Sequence, residues 1–187
     1  AATTDTKNGS TTTADTFVIN GAAFWDFNID DLVISQMDDT TTPTFLGDRR
    51  VLTLYPDGNG NYSEFDGSDG NSTNNYQLVD DATNDDADYV TSETVGERDS
   101  YTFANPAQTP VTINAVQLTA CLRKDDAGAR VARTFHRISG SNYESSDITL
   151  STSFEFKTHM RETNPATASA WTASDLNALE SGVKVES

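Results

Sequence analysis

"SDITLSTSFEFKTHM", residues 146–160, is the stretch on which the fold class turns. Ile148, Leu150, Thr152, Phe154, Phe156, Thr158 and Met160 fall on one side of an extended chain. Thr149, Ser151, Ser153, Glu155, Lys157 and His159 fall on the other. A period of two is strand geometry, and one apolar side with one polar side describes an antiparallel strand with one wet face. The expectation is a single long strand with Phe156 and Met160 on the packed side and His159 on the wet side.

Similar segments lie on either side of it. "VTINAVQLTACLR" (111–123) places Val116, Leu118, Ala120 and Leu122 on one face, and "ARVARTFHRIS" (129–139) reads as the next strand. Between them "RKDDAGAR" (123–130) sets Asp125, Asp126 and Gly128 among Arg123, Lys124 and Arg130. Turn-forming residues flanked by two strands predict a hairpin tip there, rather than a reactive cluster. "SYTFAN" (100–105) and "DRRVLTLYP" (48–56) add strands, the latter ended by Pro56. "DGNGNYSEFDGSDGNSTNNYQLVDD" (57–81) is dense in turn chemistry and reads as a long loop. In "WTASDLNALESGVKVES" (171–187) Thr172 is an N-cap and Asp175 completes a capping box. Leu176 and Leu179 share a helix face, Gly182 marks the helix stop, and "VKVE" returns as a strand. These elements predict an all-β chain: an antiparallel, jelly-roll-like β-sandwich with one short C-terminal helix. Residues 1–16, polar and Thr-rich, predict an extended N-terminal arm, with a single domain over 17–187.

Composition narrows the function classes. The chain has 187 residues and a formal charge of −17. Residues 1–97 hold 19 acids and 3 bases, whereas residues 98–187 hold 10 acids and 9 bases. Such a surface repels a phosphate backbone, so no nucleic-acid partner is expected. No apolar run approaches the length of a membrane span, and the polar N-terminus lacks the apolar core of a signal peptide. The chain is therefore expected to be made in a cytoplasm and to leave it by lysis or assembly. Cys121 is the single cysteine, which excludes an internal disulfide, and it reads as a small packed residue.

Candidate sites are few. Asp57, Asn59 and Asn61 alternate as calcium ligands do, but the EF-hand glycine and glutamate positions hold Tyr62 and Ser68. Asp85 and Asp86 belong to a second acidic run, Asp80 to Asp88, a weak calcium candidate read first as a solvated loop. No zinc spacing or nucleophile motif is present, and nothing selects one pair from 29 carboxylates, so neither an enzyme nor a cofactor is expected. Trp25 and Trp171 read as packing aromatics, with sugar stacking the alternative.

Three segments carry a resemblance: "DDADYVTSETVGERDSYTF", "TPVTINAVQLTACLRKDDAGAR" and "NPATASAWTASDLNALESGVKV". Together with a weaker likeness in "LYPDGNGNYSEFD", they resemble structural proteins of tailed bacteriophages, including phages of marine bacteria. The resemblance covers roughly residues 85–187 and implies a virion component with a β-sandwich fold and no catalysis. The resemblance by itself does not place the component on head or tail; the first expectation is a capsid decoration, or cement, protein whose partners are the major capsid protein and neighbouring copies of itself. In that reading Phe17, Ile19, Phe24 and Trp25, beside the arm, supply the contact and the acidic loops face solvent. The alternative expectation is a tail-tip or fibre module that binds host surface glycans.

Overall fold

A computed structural model describes residues 50–187, and the chain divides between Val51 and Leu52. The second unit contains strands β1 (Pro56–Ser63), β2 (Asp66–Gly67), β3 (Val90–Thr91), β4 (Arg98–Phe103), β5 (Val116–Leu122) and β6 (Val131–Ile138). It continues through β7 (Ser141–Glu144), β8 (Ile148–Thr149), β9 (Glu155–Arg161), β10 (Thr163–Asn164) and β11 (Ser169–Ala170). Helix α1 (Ala173–Asn177) and strand β12 (Glu180–Val185) complete it. The described residues are all-β, antiparallel, with the expected short C-terminal helix. The main sheet runs β1-β4-β12-β6-β7, with β8 also on β6, while β5 and β9 form a separate two-stranded ribbon.

The helix follows from its cap. Thr172 Oγ1 accepts from the Asp175 N–H at 3.1 Å, and Asp175 Oδ2 accepts from the Thr172 N–H at 2.9 Å, closing the reciprocal box. The helix ends at Asn177, earlier than Gly182 suggested, because Gly182 lies inside β12. A Cβ there would sit 1.9 Å from the Asp99 carbonyl oxygen, so this glycine serves the close approach of β12 to β4.

Two expected boundaries move. "DGNGNYS" is not loop but most of β1, the edge strand paired with β4 through two register shifts. Its turn-rich composition misleads because Gly60 packs where a Cβ would meet Ser100 and Glu180. Conversely, the expected strand at Val51–Tyr55 forms no strand. "RKDDAGAR" is not a hairpin tip either, because β5 pairs with β9 while β6 pairs with β12, β7 and β8. The stretch instead carries the chain from ribbon to sheet. Asp126 accepts from the Gly128 N–H and pairs with Arg130 at 2.5 Å, and Lys124 donates to the Gly128 carbonyl.

Residues directly opposite in the ladder share a face, so register gives the two sides of the sheet. On one side Arg133, Glu144 and Glu186 pair, Arg133 Nη1 lying 2.9 Å from Glu144 and 3.4 Å from Glu186, and Lys184 meets Glu186 at 2.7 Å. Phe135 is fully buried even on this charged side, because the Tyr62 ring stands edge-on to it at 6.0 Å. The Arg98 and Arg137 guanidiniums lie 5.3 and 5.1 Å from the Tyr62 ring centre. Burying a phenylalanine contributes about 2–3 kcal/mol. The other side carries Asp99 and Tyr101 from β4, Ser181 and Val183 from β12, and Thr134 and His136 from β6. Residues after β1 cover its β4 end, anchored on Asp99; the ribbon and Trp171 cover its β6 end. There Ile138, Trp171 and Leu179 form the apolar core with Ile113, Val116, Tyr143 and Leu176 around them.

Candidate functional site

The long strand expected over 146–160 is two strands in two layers. Ile148 pairs with Ala132 in the main sheet, the chain turns through Leu150–Phe154, and Glu155–Arg161 pairs with β5. Hydrogen bonds at Ser151 shape the turn: its hydroxyl donates to the Ser153 carbonyl at 2.8 Å, and its own carbonyl accepts from the Lys124 N–H at 2.8 Å.

The break leaves β9 facing opposite to expectation. Leu118 lies opposite His159 and Ala120 opposite Lys157, so β5 directs its aliphatic stripe inward beside the polar residues of β9. Phe156, opposite Cys121, and Met160, opposite Gln117, therefore point outward and are 68% and 57% exposed. His159, expected in water, is buried. Strand register allows no compromise here, because a shift of one residue exchanges every side chain between faces.

What makes the inward face of β9 tolerable is a second histidine. His136, on β6, is 0% exposed, and its ring stacks on His159 with centroids 5.2 Å apart and planes 26° apart. The Trp171 ring stands edge-on to His136 at 6.2 Å. His136 Nδ1 and the Ser181 hydroxyl share a hydrogen bond of 2.9 Å. Among the described residues His136 Nε2 and His159 Nδ1 have no hydrogen-bond partner. Burial pushes the His136 pKa down to about 4, with the His159 ring and Arg161 adding to it. Burial and then Arg161 push His159 down as well. Both rings are thus neutral near pH 7 and stack as flat, uncharged plates between ribbon and sheet.

At the β4 end of the same face a carboxylate takes this role. Asp99, 1% exposed, accepts at Oδ1 from the Glu64 and Phe65 N–H groups at 2.8 and 3.2 Å. Its Oδ2 accepts from Asn75 Nδ2 at 2.7 Å and the Tyr101 hydroxyl at 2.9 Å. Burial raises the Asp99 pKa while these four donors pull it down. Burial and the neighbouring Asp99 drive the Tyr101 hydroxyl far above its ordinary range.

The residues singled out from sequence do not converge. Phe17, Ile19, Phe24 and Trp25 lie outside the described residues. Asp57, Asn59 and Asn61 sit along β1 with protein partners: Asp57 accepts from the Thr102 hydroxyl, Asn59 from the Tyr76 N–H, and the Asn61 N–H donates to Glu180. Asp85 and Asp86 are exposed in a loop and accept from the Ala87 N–H and Asn84. Among the described residues no group of three or more His, Cys, Asp or Glu side chains is placed to hold a metal. Trp171 is 4% exposed and donates from its indole to the Arg161 carbonyl at 2.9 Å. Burial, and then the charge of Asp86, raise the Cys121 thiol and disfavour its nucleophilic thiolate. An open depression of ≈ 420 Å³ lies at one end of the ribbon, lined by Asp86, Arg123, Thr152, Ser153 and Phe154. No helix among the described residues is long and apolar enough to cross a membrane.

The exposed side of the ribbon is the feature that sequence reasoning missed. Gln117, Thr119, Cys121, Phe156, Thr158 and Met160 form it, and none carries a charge. Among the described residues neither β5 nor β9 has a second strand beside it. Such a surface buries readily against a partner and offers open strand edges for pairing. No family model matches the chain, and neither a curated protein nor a solved structure matches it.

Proposed function

We propose that the chain is a non-enzymatic structural subunit of a tailed-bacteriophage virion, a capsid decoration protein that binds the outer shell and stabilises it. The supporting observation is the uncharged, half-apolar outer face of the ribbon on a chain of charge −17. A neutral patch with open strand edges on so acidic a molecule is suited to contact rather than chemistry. The segments resembling phage structural proteins include β4, β5 and β12 and supply the virion context. Many copies binding only the assembled shell would stabilise it by mass action. In this reading the N-terminal arm and Phe17, Ile19, Phe24 and Trp25 grip the major capsid protein. The glycan-binding alternative calls for an aromatic exposed in a groove; Trp171 is buried, and Trp25 lies outside the described residues.

The test is stoichiometry in purified virions of the encoding phage, by quantitative mass spectrometry against the major shell protein. A decoration role gives a simple, near-stoichiometric ratio, and deleting residues 1–16 lowers it. A few dozen copies or fewer would move the protein to the tail, and its absence from virions would end the reading.

A further inference from the structure

Ribbon and main sheet meet through the two histidine rings. His136 rises from β6 and His159 from β9, their centroids lie 5.2 Å apart, and both side chains are buried. Main-chain ladders run within the ribbon and within the sheet, and among the described residues none runs between them. The two crossings between layers lie together at one end: the Lys124 N–H donates to the Ser151 carbonyl at 2.8 Å, and the Leu150 N–H to the Arg130 carbonyl at 3.0 Å. Toward the other end Arg161 Nη2 donates to the Glu144 carbonyl of β7 at 3.1 Å. There the chain rejoins the sheet through the longer connections 104–115 and 162–179.

Charge is disfavoured in this contact. Two protonated rings 5.2 Å apart repel, and Arg161, two residues from His159 on the same face of β9, adds a third positive group. Around the pair, β12 and β5 present the uncharged Ser181 and Leu118, β7 presents Tyr143, and Tyr101 and Asp99 of β4 lie beyond Ser181. Further along β9, Lys157 and Glu155 pair with each other. The charges that bear on the pair are positive: His159 and Arg161 on His136, and Arg161 on His159. We propose that protonation of the His136–His159 pair releases the β5–β9 ribbon from the main sheet while the sheet stays folded, so that the ribbon is an acid-operated flap that bares its Val116, Leu118, Ala120 and Leu122 stripe. The released chain binds protons more readily than the closed one between pH 6.5 and about 4, so release grows as pH falls through this range and levels off below it. Asp99 does not follow: burial raises its pKa, so acidification favours the folded form at the β4 end. The flap rests neither on the ribbon's outer face binding a partner nor on the virion assignment.

Thiol labelling of the full chain tests it. In a Cys121→Ser background, Thr134→Cys places a reporter on the same face of β6 as His136, at a fully buried position. The rate of reaction with 4,4′-dithiodipyridine, divided by that of the urea-unfolded chain at the same pH, gives the opening constant. That constant is expected to rise about 30-fold from pH 7.5 to pH 5 through His136 alone. Its urea dependence is expected to be less than about half that of whole-chain unfolding, because only the interface under the ribbon is exposed. His136→Phe combined with His159→Phe is expected to abolish the rise. A pH-independent opening constant overturns the proposal, as does a rise that survives both substitutions. A urea dependence equal to that of global unfolding also overturns it, since the histidines would then tune stability without moving the ribbon. Ile138→Cys, in the core that packs against Val116 of the ribbon, repeats the test if Thr134→Cys misfolds.

Discussion

Asp99 and the His136–His159 pair organise opposite ends of one sheet face, and they do so in opposite ways. Asp99 is a buried carboxyl group whose two oxygens accept from four donors, two of them backbone N–H groups of the segment that covers it, and whose pKa burial raises. The histidines are neutral, stacked, and each keeps a ring nitrogen unpartnered among the described residues. A buried carboxylate needs that many donors to offset its lost hydration, whereas a neutral imidazole is buried at smaller cost and stays dependent on remaining neutral. The β4 end is thus clamped by hydrogen bonds, and the β6 end, where the ribbon docks, is held by the stacking of two rings whose pKa values burial lowers.

Removing the clamp has the largest expected effect. Asp99→Ala leaves the Glu64 and Phe65 N–H groups, Asn75 and Tyr101 without their acceptor, and the expected loss is about 3–5 kcal/mol. Urea unfolding of the purified chain measures it, and a loss under 1 kcal/mol would show that the four donors find other partners. Acidification comes next. His136 is held near 4 in the folded chain against 6.5 when free, so the unfolded chain binds the proton more readily between those values. Its stabilising contribution is complete above about pH 6.5, falls as pH drops, and levels off near the folded value; the full loss is about 3 kcal/mol. His159 shifts in the same direction and adds to the slope. His136→Phe should flatten the urea midpoint across this window; an unchanged slope would place the acid sensitivity elsewhere. The smallest effect on stability belongs to the outer ribbon face: Phe156→Ser should stay within about 0.5 kcal/mol of wild type. A larger loss would mean that Phe156 packs within its own copy.

The β9 segment illustrates what was legible. Alternation from Glu155 to Met160 announced a strand, and the register does alternate. Which side would be packed depended on β5, thirty-odd residues upstream in sequence, whose Val116, Leu118, Ala120 and Leu122 stripe takes the inward position. His136 and His159 are 23 positions apart with no motif linking them, and only the stacking of ribbon on sheet brings their rings together. The sole sequence signal was a histidine in each of two strand-like runs. β1 was missed because glycines placed for close packing have the composition of a loop.

Local chemistry was enough for the capping box at Thr172 and Asp175, the strand character of β4, β5, β6 and β9, and the all-β class, because each depends on neighbours within a few residues. Tertiary structure alone decided three things. It moved "RKDDAGAR" from a hairpin tip to a crossing between layers, since that depends on which strands pair. It turned Phe156 and Met160 outward and His159 inward, since that depends on which layer β9 joins. It left Val51–Tyr55 outside the strands of the described residues, since a strand forms only where another chain segment supplies the opposite half of its ladder.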